Sequence, residues 1–504
     1  MINIVDNFLD KITMYRLMLY FLIGLLVIAV TYSFLGILSF SPFSIIFSTL
    51  FIVFVSWISN KIFAGLFKAP TNVESLYISA LILSLIITPT QSLQGVIFLG
   101  SAAILTTASK YIFAINKKHI FNPVAIAMVL MAIGLGQSAS WWVGNMWMMP
   151  FVFIGGLLVV RKVQREDLVF GFMVTAVIFI LGSAYLRQSD LLGALSTIFF
   201  HSSLFFFVFV MLVEPLTIPP AKNLRIIYGV LVGMLFSSQI NIGGIYLTPE
   251  IALVVGNIFS YFVSPKQKIF LTLKEKLKVG SDILDFIFVP EKKISFVPGQ
   301  YMEWTLPHKG IDSRGNRRYF TIASSPTENT LRLGVKFYSQ GSSFKRAMSF
   351  MNKNSKIIAS QLSGNFVLPK DKNKKLVFIA GGIGVTPYRS MVKYLLDTKQ
   401  KRQITLFYSN KTASEIMYSD VFDSASKNLG IKTVYTLTEK HPAGWRGKIG
   451  RIDAKMIQEE VSDWKERLFY LSGPHAMVFG FEQVLKGMGV SSNQIKIDFF
   501  PGYA

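Results

Sequence analysis

The sequence predicts a multi-domain membrane protein. An all-α polytopic bundle of about ten transmembrane helices with an inverted repeat comes first, then a β-barrel domain, then an α/β domain. Three observations predict it. Long, almost uncharged apolar runs fill the chain to Pro265. Short alternating runs punctuated by Gly and Pro follow from Lys268 to Pro369. A buried strand then runs into a Gly-rich turn and an amphipathic helix at Lys375–Leu396. The expected domains are therefore 1–265, 268–370 and 371–504.

Composition supports this division. The hydrophobic fraction is 52% and the mean hydropathy +0.47 over 504 residues, too high for an ordinary soluble enzyme. Through Lys268 there are 15 Lys/Arg against 8 Asp/Glu; the remainder holds 36 against 20. A basic soluble half favours anionic ligands and anionic lipid headgroups. No Lys/Arg block is interleaved with aromatics, so nucleic acid is not an expected partner. Cysteine is absent. That excludes disulfides, thiolate zinc sites and cysteine-ligated iron–sulfur clusters. Of 5 histidines, only His119 and His201 lie in the apolar half, too few for stacked haems, so no haem is expected. Met1–Asp10 lacks a basic n-region, and no cleaved signal peptide is expected.

A spanning helix needs about 20 apolar residues. The runs place helices near Met14–Ile37, Phe43–Trp57, Leu76–Ile87, Leu93–Phe113 and Pro123–Gly136. Five more follow near Met146–Val160, Leu168–Leu186, Leu191–Val213, Ile226–Ile240 and Pro249–Val263. Several are short, which points to interrupted or re-entrant helices. With the N-terminus cytoplasmic, that side carries Lys11, Arg16, Lys61, Lys68, Lys110, Lys117, Lys118, Arg161, Lys162, Arg165, Lys222, Arg225, Lys266 and Lys268. The other side carries only Arg187. By the positive-inside rule this predicts a multi-pass protein of the cell (inner) membrane, with its N-terminus and soluble half cytoplasmic. "NPVAIAMVLMAIG" from Asn122 resembles "TPEIALVVGNIFS" from Thr248, and "IITPTQ" at Ile86 resembles "VEPLTIPP" at Val213. Both pairs lie five helices apart and point to an inverted repeat, which builds midplane sites from broken helices. The plain alternative is that Pro begins and ends helices. Glu74 and His201 fall in or beside apolar runs, where ionisable groups are functional candidates; for His201 a packing role is equally open.

"KKHIFNPVAIAM", "GGLLVVRKVQREDLVF" and "MLVEPLTIPPAKNLRIIYG" resemble segments of the B subunit of sodium-pumping NADH:quinone reductase and the D subunit of Rnf complexes. The resemblance implies a ten-helix fold related to urea transporters, with flavin between the repeats. The family's Ser-Gly-Ala-Thr segment, which carries covalent FMN, is absent here. A membrane flavin would then be non-covalent FMN or riboflavin, and the resemblance points to Asn122, Glu214 and Thr217. Read from the residues alone, Glu214, Thr217, Lys222 and Arg225 belong to a helix end and a solvated loop.

In the soluble half, "RRYFTIASSP" resembles the Arg-x-Tyr-Ser/Thr flavin motif of ferredoxin–NADP reductase-type proteins. By that resemblance Arg318 pairs with the FAD pyrophosphate. Tyr319 lies within the motif, Phe320 packs on the isoalloxazine, Thr321 bonds near flavin N5, and Ile322 and Ala323 offer backbone groups. "SQGSSFK" matches the segment that opens a helix on the pyrophosphate, so Gly341, Ser342 and Ser343 are expected to present N–H groups; an ordinary N-cap is the alternative. "KLVFIAGGIGVTPYRSMVKYLL" carries the Gly-Gly-x-Gly-x-Thr-Pro form of the NAD(P) lobe, with Gly381, Gly382, Gly384, Thr386 and Pro387, its glycines letting the nucleotide approach. Ser409, Lys411 and Tyr418 match adenosine–ribose positions, and Ser plus a cation could favour a 2′-phosphate. Gly473, Pro474 and Met477 match a Cys-Gly-Pro-x-x-Met pattern. Ser472 there replaces a Cys near the nicotinamide, slowing hydride transfer without abolishing it. Phe499 or Phe500 covers the flavin.

The expected function is an NAD(P)H-dependent flavoprotein oxidoreductase. It passes electrons from FAD to a membrane flavin, a quinone or a partner carrier, with membrane lipid as its solvent and ion transport as a coupled extension. The rival class is a transporter or channel of urea-transporter-like fold, regulated by a reductase domain.

Overall fold

Capping residues and prolines set where the apolar runs become helices. The computed structural model describes residues 9, 12–67, 73–115, 118–237, 241–242, 245–264, 268–279, 282–312, 314–338 and 341–500. Pro265 and the topology-setting Lys11, Lys68, Lys117 and Lys266 lie outside them. The chain divides into two units, Met1–Gln267 and Lys268–Ala504.

In the first unit, α1 (Met14–Phe34) starts at a Thr13 cap, α2 (Pro42–Leu66) at Pro42, and α4 (Leu93–Ile112) at a Ser92 cap, with α3 (Val73–Ile86) between α2 and α4. There follow α5 (Pro123–Leu135), α6 (Met149–Val163), α7 (Glu166–Leu186), α8 (Leu191–Phe200), α9 (Leu204–Met211), α10 (Lys222–Ser237) and α11 (Pro249–Val263). Helix therefore falls in each of the ten predicted segments. Only α1, α2, α4 and α7 among the described residues are long and apolar enough to cross a membrane, a fifth being added if α8 and α9 count as one span. The remaining helices run 13–16 residues, below the length a bilayer core requires. The four long helices expose apolar side chains such as Val27, Leu50, Ile97 and Ile178, a surface suited to a hydrocarbon solvent.

The predicted helix Leu191–Val213 is broken. α8 and α9 meet at a 53° bend. Ser202 explains the break: its hydroxyl donates to the Ile198 carbonyl at 2.5 Å and accepts from the Leu204 N–H at 3.2 Å, replacing backbone bonds. The last five residues of α9, Phe207–Met211, form a π-helical turn. One order of elements occurs twice. A helix, a two-residue-strand hairpin and a proline-started helix appear as α4, β1 (Ala114–Ile115), β2 (Lys118–His119) and α5. They recur as α10, β3 (Asn241–Ile242), β4 (Ile245–Tyr246) and α11.

The second unit opens with an antiparallel six-stranded sheet. Its strands are β5 (Ile269–Val279), β6 (Ile283–Pro290), β7 (Tyr301–Thr305), β8 (Arg317–Thr321), β9 (Leu331–Lys336) and β10 (Lys356–Ser363), in the order β8-β7-β10-β5-β6-β9. Alternation buries Leu271, Leu273, Phe286, Phe288, Trp304 and Leu333 in one core. Where the predicted barrel would close, no ladder joins β8 to β9. One bond, from the Ala323 N–H to the Arg332 carbonyl at 2.9 Å, links the segments there. Helix α12 (Ser343–Ser349) packs Phe344 and Met348 into the same core.

The following parallel sheet comprises β11 (Leu376–Gly381), β12 (Ile404–Thr412), β13 (Lys432–Lys440), β14 (Lys448–Ile449), β15 (Leu468–Pro474) and β16 (Ile495–Phe500), ordered β14-β13-β12-β11-β15-β16. Every residue of β11 is buried, as expected for a strand covered on both faces. Helices α13 (Thr386–Asp397) and α14 (Ser419–Leu429) pack on one face, α15 (Ala454–Glu460) and α16 (His475–Gly487) on the other. Strand order reverses direction at β11, so the crevice at the C-terminal ends of β11 and β15 is the topological switch point where such sheets bind ligands.

Candidate functional site

β8 sorts the flavin-motif residues by face. Arg318 and Phe320 share one side, where the guanidinium carbon lies 5.4 Å from the Phe344 ring centroid and Phe320 lies 6.0 Å from it. Tyr319 points the other way, exposed, with its hydroxyl donating to Glu303 at 3.1 Å. Thr321 ends the strand and is buried. Ile322 and Ala323 are fully buried, and their N–H groups donate to the carbonyls of Gln300 and Arg332. Those two N–H groups are therefore already engaged.

Beside Arg318, Lys345 is buried and donates to the Lys336 carbonyl at 2.9 Å. Burial, then the like charges of Arg318 and Arg314, push its ammonium down to about 8. Lys345 and the Arg318 guanidinium, with Arg314 held beside them by Asp312 at 2.9 Å, make a positive cluster that fits a pyrophosphate. The expected helix N-terminus contributes less than anticipated. α12 has seven residues, the Ser343 N–H donates to the Asp312 carboxylate at 2.7 Å, and the Gly341 N–H donates to the Tyr338 carbonyl. Ser342 is the N-cap, accepting from Lys345 N–H at 3.3 Å.

At the switch point Gly381 ends β11 and a 3-10 turn, Gly382–Val385, leads into α13 with Thr386 and Pro387 in its first turn. The three glycines serve different ends. Gly382 has φ +52° and open space where a Cβ would project. A Cβ on Gly381 would lie 2.1 Å from Met477 Sδ, and one on Gly384 would lie 2.3 Å from the Ser472 carbonyl. Backbone packing thus demands glycine at 384, whereas the atoms facing Gly381 belong to the flexible Met477 side chain and Gly382 faces open space.

Across from this turn, Ser472 is fully buried with no partner for its hydroxyl. It pairs with Ala380 on one side and Asp498 on the other. Asp498 escaped the sequence reading; a lone acid inside an alternating strand was its only signal. Burial pushes its carboxyl up to about 7, and its Oδ2 has no partner. Gly473 (φ +156°), Pro474 and Met477 surround the same strand end. The backbones of Phe499 and Phe500 pair with Gly473 and Pro474; their side chains lie outside the described residues.

The barrel-side strands and the nucleotide lobe are tied together. Buried Arg389 on α13 donates to Glu328 through Nη1 at 2.5 Å and Nη2 at 2.9 Å, and to the Ala323 carbonyl at 2.9 Å. Burial raises Glu328, but Arg389 more than offsets it and the net shift is downward. Tyr418, expected near adenosine, is instead buried and donates to Asp285 on β6 at 2.9 Å. Ser409 pairs with Gly381, while exposed Lys411 lies 2.8 Å from Glu439.

In the first unit Asn122, Glu214 and Thr217 do come together. Asn122 donates to Glu214 Oε2 at 2.9 Å, and the Thr217 hydroxyl approaches that oxygen at 3.4 Å. His119 lies 3.2 Å from Glu214 Oε1. Asn257 accepts the Asn122 N–H at 2.7 Å and donates to Tyr228 at 2.9 Å. Thr217 and Arg225 are not solvated. Both are buried, Arg225 on α10 pairing at 2.6 Å with Asp167 in the first turn of α7. His201 is exposed at the end of α8, and Glu74 pairs with Arg16 at 2.7 Å.

Residues 378–483 match the family described as oxidoreductase NAD-binding domain. The chain is 24% identical over 238 residues to a flavohemoprotein of Oceanobacillus iheyensis, covering 45% of this chain and 57% of that protein. It is 23% identical over 224 residues to the glycine betaine monooxygenase reductase subunit of Pseudomonas aeruginosa, covering 44% and 60%. It thus spans under two thirds of the length of these relatives. Among solved structures, the Amycolatopsis cytochrome P450 reductase GcoB aligns with TM-score 0.43 and 21% identity, over 47% of this chain and 72% of that one. The C-terminal half is a reductase-type FAD- and NAD(P)H-binding oxidoreductase domain.

Proposed function

We propose that the protein is a membrane-bound flavoprotein oxidoreductase. It takes a hydride from NAD(P)H onto FAD and passes electrons to a membrane flavin, a quinone or a partner carrier. The observation that carries this reading is one conjunction in the second unit: a cluster of cations on the β8 side, and an open glycine turn beside the buried, unpartnered hydroxyl of Ser472 and the half-buried Asp498, held together by Arg389–Glu328.

Arg318 and Lys345 would hold the FAD pyrophosphate, and Thr321 would border the flavin. Gly382 and the first turn of α13, with Thr386 and Pro387, would receive the dinucleotide phosphates. Ser472, with no protein partner, offers its hydroxyl to the nicotinamide end, and Gly473 lets the chain pass close by. Bound FAD would supply two-electron acceptance with release of electrons one at a time. Arg389 keeps the two halves of this site at fixed separation, which hydride transfer requires.

In the first unit, Asn122, Glu214 and Thr217, joined by His119, are the residues we assign to a non-covalent FMN, riboflavin or quinone. Buried polar groups in an apolar bundle support that assignment. The repeated order of helix, hairpin and proline-started helix supports an inverted repeat, and it also favours the second reading, a transporter or channel regulated by its reductase half. Ion transport coupled to electron flow unites the two. Flavin released by denaturing the purified full-length protein and NADH-driven reduction of added quinone separate them: a second non-covalent flavin or quinone reduction supports electron transfer into the membrane half, and a single FAD without quinone reduction supports the regulated transporter.

A further inference from the structure

NADH and NADPH differ by one phosphate on the adenosine ribose, and a phosphate monoester carries about −1.5 to −2 charge at pH 7. Discrimination between them is a matter of the local charge where the ribose lies. β12 outruns β11: Gly381, the last residue of β11, pairs with Ser409. Asn410, Lys411 and Thr412 therefore extend past the glycine turn on the side where a dinucleotide bound there would carry its adenosine.

Lys411 is the cation that a 2′-phosphate would seek on this overhang. Its ammonium is already matched. Glu439, on the neighbouring overhang of β13, lies 2.8 Å from its Nζ. Glu415, in the turn directly after β12, and Asp282, just before β6, add negative potential at the same ammonium. Those two carboxylates share a second cation, Lys336, at 3.3 and 3.6 Å. Three carboxylates thus face two ammonium groups. Lys440, next along β13, alternates to the opposite face.

We propose that this unit selects NADH over NADPH, and that Glu439 is the specificity-determining residue. Glu439 neutralises Lys411 and sets a carboxylate where a ribose 2′-hydroxyl can donate and a 2′-phosphate is repelled. The same logic places an acidic residue on the 2′-hydroxyl in other dinucleotide folds. The proposal rests on the reading that the Gly381–Thr386 turn binds a nicotinamide dinucleotide. Both partners are more than half exposed, so salt weakens the effect and the comparison belongs at low ionic strength.

The test is kcat/KM for each nucleotide, using the full-length protein in detergent with ferricyanide as electron acceptor. The wild type is expected to favour NADH at least about tenfold. Glu439→Gln should raise kcat/KM for NADPH about tenfold and lower that for NADH, since the carboxylate that accepts the ribose 2′-hydroxyl is lost. Adding Lys411→Gln to Glu439→Gln should remove the NADPH gain, since the freed ammonium would be its source. A wild type that favours NADPH overturns the proposal. So does a Glu439→Gln protein with an unchanged melting temperature and an unchanged NADH/NADPH ratio. Oxidation of neither nucleotide by the wild type instead overturns the dinucleotide reading itself.

Discussion

Replacing Asp498 by Asn should change how the protein's stability depends on pH. In the folded state burial lifts this carboxyl from 3.8 to about 7. Unfolded, it titrates near its ordinary value of about 3.9. Between those values the folded form holds a proton that the unfolded form has lost, so stability falls as pH rises. The contribution is fully present below about pH 4 and gone above about pH 7, with a slope of about 1.4 kcal/mol per pH unit. The full span has a ceiling of about 4 kcal/mol, reduced wherever water reaches the carboxylate. Asn keeps the size and cannot ionise. Thermal unfolding of wild type and Asp498→Asn, followed by flavin fluorescence at pH 5 and pH 8, reads this directly. The variant should gain on the wild type by several degrees on moving from pH 5 to pH 8. Parallel melting curves across that range would show that Asp498 stays ionised in the folded protein, and would refute the reasoning.

Three further outcomes follow from the same geometry. Gly384→Ala puts a Cβ 2.3 Å from the Ser472 carbonyl, a backbone atom that cannot swing aside, and NAD(P)H-dependent reduction should be lost. Arg389→Met leaves the part-buried Glu328 with the Ser325 N–H but without its guanidinium partner, and should destabilise the second unit by up to about 3 kcal/mol in urea unfolding. Arg318→Ala should lower the FAD content of the purified protein, and unchanged content would contradict its assignment to the pyrophosphate.

The parts that were legible in the sequence follow from period and punctuation. Alternation marked the strands around Trp304 and Leu333, and the continuous apolar run of β11 marked a strand buried on both faces. Asn122, Glu214 and Thr217 were singled out across about 90 residues, and the fold brings them into one hydrogen-bonded group. The rest depends on contacts that no local pattern encodes. Arg389 meets Glu328 across 61 positions and Tyr418 meets Asp285 across 133, so neither tie has a local signature. The motif marked where Gly384 stands, and the structure adds a constraint no local pattern shows, the Ser472 carbonyl 2.3 Å from where its Cβ would lie. Helix length was less legible for a related reason. Hydropathy located every helix, but Ser202 and the prolines decide length, and length decides what can span.

Anaerobic addition of NADH, then NADPH, to the purified full-length protein tests the central claim most directly. The account predicts a flavin absorbance spectrum that bleaches with one nucleotide equivalent per FAD and returns on adding an electron acceptor. A flavin spectrum left unchanged by both nucleotides would contradict it.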